Sequence, residues 1–214
     1  MKKILLSFIL GFLAFTGFSQ GEEVQRFTFD EKKKPSKAVA NTPYLYLGPG
    51  SGLYTYTGIL GGIVEVPVVP HLSVFVGFGL GGWGYKAGGG VLFYLHKDDY
   101  LGSAFGAGVS NAFGLDDFTT ELTLAGTNGD ATSVTLDLYN APSLNLTYQY
   151  HFSLGSSGKF VVGTGYAIAM VDTPYKLVAP PNAELDATSK RIMQLLQPSG
   201  LIISVAFQFG IGKR

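Results

Sequence analysis

The 214 residues make one domain's length, and 46% of them are hydrophobic, yet only 14% are charged where soluble domains average about 25%. There are 30 Gly and 14% aromatic residues, and the total absence of Cys excludes disulfides, thiolate metal sites and an acylated lipoprotein terminus. The formal charge is zero, and it turns slightly negative without Lys2 and Lys3, which argues against a nucleic-acid partner.

The first residues place Lys2 and Lys3 ahead of an apolar run from Ile4 to Phe15, followed by the small residues Gly17 and Ser19. This is the pattern of a secretory signal peptide over 1–19, cleaved after Ser19. Residues 20–40 are polar, include the block EKKKPSK with Lys32, Lys33 and Lys34, and read as a solvated periplasmic N-terminal tail. Beyond the leader no stretch offers the ~20 uninterrupted apolar residues of a spanning helix. A closed barrel is the other way to cross a bilayer with every backbone group paired.

From residue 41 onward the hydrophobic pattern has a period of two, the mark of strands with unlike faces. Eight strands are predicted, at 41–47, 54–69, 73–85, 88–95, 100–113, 141–152, 159–171 and 201–212. In the sixth, Leu144, Leu146, Tyr148, Tyr150 and Phe152 share one face and Ser143, Asn145, Thr147, Gln149 and His151 the other. In the last, Leu201, Ile203, Val205, Phe207, Phe209 and Ile211 share the outward face. Inward positions such as Gly77, Gly79, Gly106 and Gly163 are small, as a narrow barrel requires if a few larger inward groups are to fit.

Short connections at 70–72, 96–99 and 154–158 lie at one end, predicted to be periplasmic, and long ones at 114–140 and 172–200 at the other, predicted to be extracellular. Asn128-Gly129 between ELTLAG and SVTLDLY is a hairpin signal, so strands are expected to continue above the membrane. Leu185, Ile192, Leu195 and Leu196 have helical spacing, which predicts a short helix lying on or plugging the outer mouth, with a disordered loop as the alternative.

The export signal, the alternation and the asymmetry of turns and loops over 41–214 resemble the small outer-membrane β-barrels of the OmpX and OmpA N-terminal type. The resemblance is architectural. It implies an all-β, eight-stranded antiparallel transmembrane barrel in a Gram-negative outer membrane, with outer-membrane lipids and the barrel-assembly machinery as partners. Such chains commonly end in an aromatic residue, whereas FQFGIGKR places Phe209 before the end.

Several candidate sites follow. Glu65 is the acid expected inside a membrane strand, facing the lumen opposite in parity to Val64, Val66 and Val68, with Tyr94, Gln149 and Gln208 as hydrogen-bond candidates. No Lys or Arg is expected at a comparable mid-strand position. His96, His151, Gln149 and Gln208 are expected as polar groups at the periplasmic rim. His71, His96 and His151 all fall at short turns, but the barrel's circumference is expected to keep them from ligating one metal. His151-Phe152-Ser153 matches a His-x-Ser pair of lipid deacylases but lacks an acid on the neighbouring strand. GFGLGG at 77–82 satisfies a dinucleotide-binding pattern only literally, because it lies inside a strand. Tyr54, Tyr56, Trp83, Tyr85, Tyr100 and Phe113 are expected in the interfacial girdles.

The expected role is non-enzymatic, structural or surface-interacting, without metal or cofactor. It would present the acidic loop of Asp116, Asp117, Glu121, Asp130 and Asp137 to an extracellular ligand or partner, as a monomer. The alternatives are a narrow gated conduit for small or hydrophobic molecules and a lipid-modifying enzyme.

Overall fold

Period-two alternation becomes strands when each face finds its own environment, and here it builds a closed barrel. The computed structural model describes residues 43–212 apart from 97–99, 128, 156 and 182. The expected signal peptide over 1–19 and the expected periplasmic tail over 20–40, with residues 41 and 42, Asn128 and part of the 96–99 turn, therefore lie outside the described residues.

Chain order is β1 (Leu45–Leu53), β2 (Leu60–Val69), β3 (Leu72–Gly81), β4 (Gly84–Tyr94), β5 (Gly102–Ala112), β6 (Leu115–Thr123), β7 (Ala131–Leu138), β8 (Ala141–Leu154), β9 (Gly158–Ala169), β10 (Tyr175–Ala179), α1 (Ala187–Leu196) and β11 (Gly200–Ile211). Eight of these close an antiparallel barrel in the order β1-β11-β9-β8-β5-β4-β3-β2. The all-β, eight-stranded reading holds.

The parity assignments hold as well. Val74, Val76, Phe78 and Leu80 of β3 and Leu201 through Ile211 at alternate positions of β11 are all exposed. The barrel strands contain three Asp, Glu, Lys or Arg residues, Glu65, Lys86 and Lys159, and all three are buried inside. The wall's outside is apolar or small, and its few charges face inward.

Three strand boundaries differ from expectation, the first being strand 1, which runs on to Leu53 instead of ending at 47. Strand 2 begins at Leu60 because the 54–58 segment leaves the wall and turns into the lumen, where Thr55, Tyr56 and Thr57 are buried. Gly58 (φ +67°) makes that bend, a conformation cheap only without a Cβ. The turn between β3 and β4 lies at Gly82-Trp83, four residues earlier than expected, which draws Lys86 into the strand. The strand is also continuous through the 86–87 interval predicted as a turn.

The long loops carry ordered structure. β6 and β7 form the expected hairpin, and β10 adds to β7, giving a three-stranded sheet in the order β10-β7-β6. Its apolar face shares one cluster with the loop end of the barrel, including Trp83, Leu122, Val134, Leu136, Leu185 and Met193. The helix forms where predicted. Asp186 caps it, its carboxylate accepting from the Ser189 N–H at 2.7 Å. That hydrogen bond holds the carboxyl below the usual Asp value. The helix buries Ser189 and Met193, while Ile192, Leu195 and Leu196 remain exposed. The leucine spacing locates the helix but does not mark its buried face.

Candidate functional site

Alternation sends one side chain in two into a lumen that eight strands make narrow, so inward groups from opposite walls must meet. At the short-turn end they form one polar layer. Glu65 of β2 stands beside Tyr46 and Phe75 in the strand register, and Lys159 of β9 stands beside Gln208 and Ser153. Lys159 Nζ donates to Glu65 Oε2 at 2.7 Å, and both side chains are wholly buried. Tyr94 of β4 donates its hydroxyl proton to Glu65 Oε1 at 2.6 Å and accepts from Lys159 Nζ at 3.1 Å. The Lys159 ammonium also lies 3.9 Å from the centre of the Tyr46 ring.

This corrects the expectation that no basic residue accompanies Glu65. Lys159 stands at the start of its strand beside a turn, but it shares inward parity with Val161 and Gly163. Its long side chain then brings the ammonium across to the carboxylate.

His151 of β8 joins the same layer, with Nδ1 3.4 Å from the Tyr94 hydroxyl and the two rings 4.9 Å apart. A tyrosine hydroxyl has one proton and two lone pairs. With the proton toward Glu65 and one lone pair taken by Lys159, the network assigns the His151 proton to Nδ1. Nε2 is then a bare acceptor, and among the described residues it has no hydrogen-bond partner.

A second layer lies nearer the long loops. Asn145 Nδ2 donates to Ser110 Oγ at 2.8 Å, and Ser110 and Ser143 hydroxyls are 2.9 Å apart. Above the ion-pair layer the 54–58 segment fills the bore, with the Tyr56 ring edge-on to Phe75 at 4.5 Å and its hydroxyl donating to the Asn145 carbonyl at 3.3 Å. Lys86 Nζ donates to the Tyr54 carbonyl at 3.1 Å. The glycines explain how this segment fits. A Cβ at Gly79 would overlap the carbonyl oxygens of Thr57 and Leu60, and one at Gly77 would crowd Thr57 and Tyr56. A cavity of about 40 Å³ remains between the layers, bordered by Tyr56, Thr57, Thr147, Gln149, Ile202 and Gln208.

Of the four polar groups expected at the rim, Gln149, His151 and Gln208 are buried within the bore, and His96 is exposed at its turn. His71 packs on the Phe93 ring, and its Nδ1 lies 3.0 Å from the Tyr94 carbonyl. Among the described residues no three His, Asp or Glu side chains are placed to hold one metal ion. Ser153 is exposed and its hydroxyl donates to the Gly155 carbonyl at 3.2 Å, so it makes no pair with His151. Gly77, Gly79 and Gly81 belong to β3, with no helix following.

Asp116, Asp117, Glu121 and Asp130 are exposed on the β6–β7 hairpin, while Asp137 is half-buried and its carboxylate accepts from the Asp117 N–H at 3.2 Å. The expected aromatic girdle is corrected in part. Tyr85 and Phe113 are exposed, but Tyr56, Trp83 and Tyr100 are buried. Tyr56 fills the bore, Trp83 Nε1 donates to the Tyr139 carbonyl at 3.0 Å, and the Tyr100 hydroxyl donates to the Val69 carbonyl at 2.8 Å. Each aromatic ring carries a polar group that finds a backbone acceptor inside.

Fold and site together define a closed eight-stranded antiparallel barrel with an apolar outside, a polar ion-paired interior and a sheet-and-helix elaboration at one end. No protein-family model matches the chain, and comparison with curated proteins returns no match.

Proposed function

We propose that this chain is an integral outer-membrane protein of a Gram-negative cell, with a structural or surface-interaction role, its short turns periplasmic and its long loops outside. The observation that carries the reading is the inverted wall: every charged side chain of the barrel strands is buried, and the outward parity is apolar or small. A soluble sheet turns its polar face to water instead.

The dimensions agree. Leu201 to Ile211 spans ten residue steps, about 33 Å along the strand, and a tilt of about 40° leaves an apolar band of about 25 Å. That is the height of the apolar band on such barrels.

The filled bore supports display at the loop end over conduction. Tyr56, Phe75 and the Glu65–Lys159 layer occupy the path that a solute would take. The β6–β7 hairpin, with its exposed acids, is the surface most elaborated for a partner.

Membrane fractionation followed by gel migration with and without boiling tests the proposal. The expected result is an outer-membrane fraction whose band shifts on heating. A soluble protein with no heat-dependent shift would overturn it.

A further inference from the structure

The helix α1 is built the wrong way round for a helix that only caps the barrel. Its apolar side chains at positions 192, 195 and 196 form a stripe at i, i+3 and i+4, and that stripe is exposed. The adjoining face, through Ser189 and Met193, is the one that packs inward. Leu195 is 70% exposed, more than any other exposed large hydrophobic residue of the described chain.

The helix end is anchored at the barrel rim. The Tyr54 hydroxyl donates to the Leu195 carbonyl, and Gln197 Nε2 donates to the Val171 carbonyl at 2.6 Å. Tyr54 directly follows Leu53, which pairs with Ile203, and β11 begins at Gly200, four residues beyond the helix. Leu53, Leu201 and Ile203 are exposed members of the apolar wall. The stripe therefore adjoins the upper edge of that wall. Arg191, exposed and one turn before Leu195, borders the stripe, while Lys190 on the far flank lies 3.6 Å from Glu184.

We infer that α1 is an interfacial helix whose Ile192–Leu195–Leu196 stripe lies in the outer-leaflet lipid surface, with Arg191 at the level of the anionic headgroups. This rests on the membrane reading of the barrel. An amphipathic helix with a basic flank lies in the plane of the interface, its apolar side at the boundary between headgroups and acyl chains. The occupant is lipid because the stripe continues a wall that already faces lipid, and because the cation beside it suits a phosphate surface.

The absence of Cys allows single-cysteine variants of the full chain, Leu195→Cys, Val205→Cys on the barrel wall and Thr119→Cys on the exposed hairpin, each carrying an environment-sensitive fluorophore. The proteins are folded into phosphatidylcholine vesicles, with or without phosphatidylglycerol, that contain lipids bearing a quencher near the headgroup or deep in the chain. The expected result is loss of emission at position 195 with the shallow quencher, loss at 205 with the deep one, and none at 119. Quenching at 205 with none at 195 overturns the helix inference and leaves the membrane reading standing. Absence of quenching at both overturns the two together. A blue-shifted but unquenched fluorophore at 195 assigns the stripe to protein contact, such as a second copy, and also overturns the inference. Phosphatidylglycerol should increase quenching at 195, and Arg191→Gln should remove the increase; an unchanged increase overturns the role of Arg191.

Discussion

Lys159 Nζ lies 2.7 Å from Glu65 Oε2 although β1 and β11 separate their strands in the wall, so the pair spans the bore and joins two distant parts of the barrel. The Tyr94 hydroxyl and Tyr46 ring complete the ammonium's surroundings. Taking two charges from water is costly, and their attraction offsets the cost only while both are present.

Removing one partner should therefore be worse than removing both. Glu65→Gln or Lys159→Met leaves an uncompensated buried charge and should cost about 3–5 kcal/mol, whereas Glu65→Leu with Lys159→Met should recover most of that loss. Urea unfolding of each variant in detergent, read from the heat-dependent gel shift, measures the difference. A double variant as unstable as the sum of the singles would show that the pair is not coupled.

The cluster above the barrel gives a second prediction, using Trp83, the chain's single Trp. Its ring is buried in one cluster with Leu136, which is wholly enclosed. Leu136→Ala should cost about 2–5 kcal/mol locally through lost burial and the cavity left behind. Because Leu136 belongs to β7 in the smaller sheet, the expected signature is a red shift of Trp83 emission while the barrel keeps its gel shift. Loss of both together would mean that the barrel and the loop sheet unfold as one unit.

Much of the wall was legible because parity is a local property that burial amplifies. Once Leu201 to Ile211 was read as alternating, one face had to be outside. Glu65 stood out by the same parity, and its partner was readable in principle from Lys159, Val161 and Gly163 sharing a face. It was missed because a Lys beside a turn is ordinarily solvated, and whether its side chain reaches a carboxylate depends on the register of strands far apart in sequence. The inward fold of 54–58 was not legible. Thr-Tyr-Thr alternates as a strand does, and only the empty volume beside Gly77 and Gly79 on another strand says that it turns inward. Helix α1 was found by spacing, yet Ser189 and Met193 took the buried face because the N-cap at Asp186 and the rim contacts at Leu195 and Gln197 set its rotation.

The Asp186 cap predicts a pH dependence at the loop end. Its carboxyl is held below the ordinary Asp value of 3.8, first by the Ser189 backbone N–H. A depressed folded pKa means that the cap's stabilisation is present above that ordinary value and is lost as pH falls through the lower folded one. The Ser189 amide resonance should titrate with a midpoint below 3.8, and Asp186→Asn should abolish the titration while keeping a capping oxygen. A midpoint at or above 3.8 would contradict the cap.

The last prediction concerns the bore. Tyr56 lies between Phe75 and the Asn145 carbonyl, and Gly79 leaves no room for a Cβ beside the Thr57 carbonyl. The segment and the glycine are complementary, so each can be perturbed independently. Tyr56→Ala empties the space above the ion-pair layer but leaves Glu65, Lys159 and Tyr94 spanning the bore, so its conductance in planar bilayers should stay at the empty-bilayer level. Combining Tyr56→Ala with Glu65→Leu and Lys159→Met removes the polar crossing as well, yet Phe75, Leu92 and Tyr94 still occupy the wall around it. Only small leak currents are expected from that triple variant. Gly79→Val should act differently, because its side chain collides with backbone and must either displace the 54–58 segment or destabilise the barrel. Steady currents from the unmodified protein would refute the occluded bore and favour the alternative, a narrow conduit, over a structural or surface role.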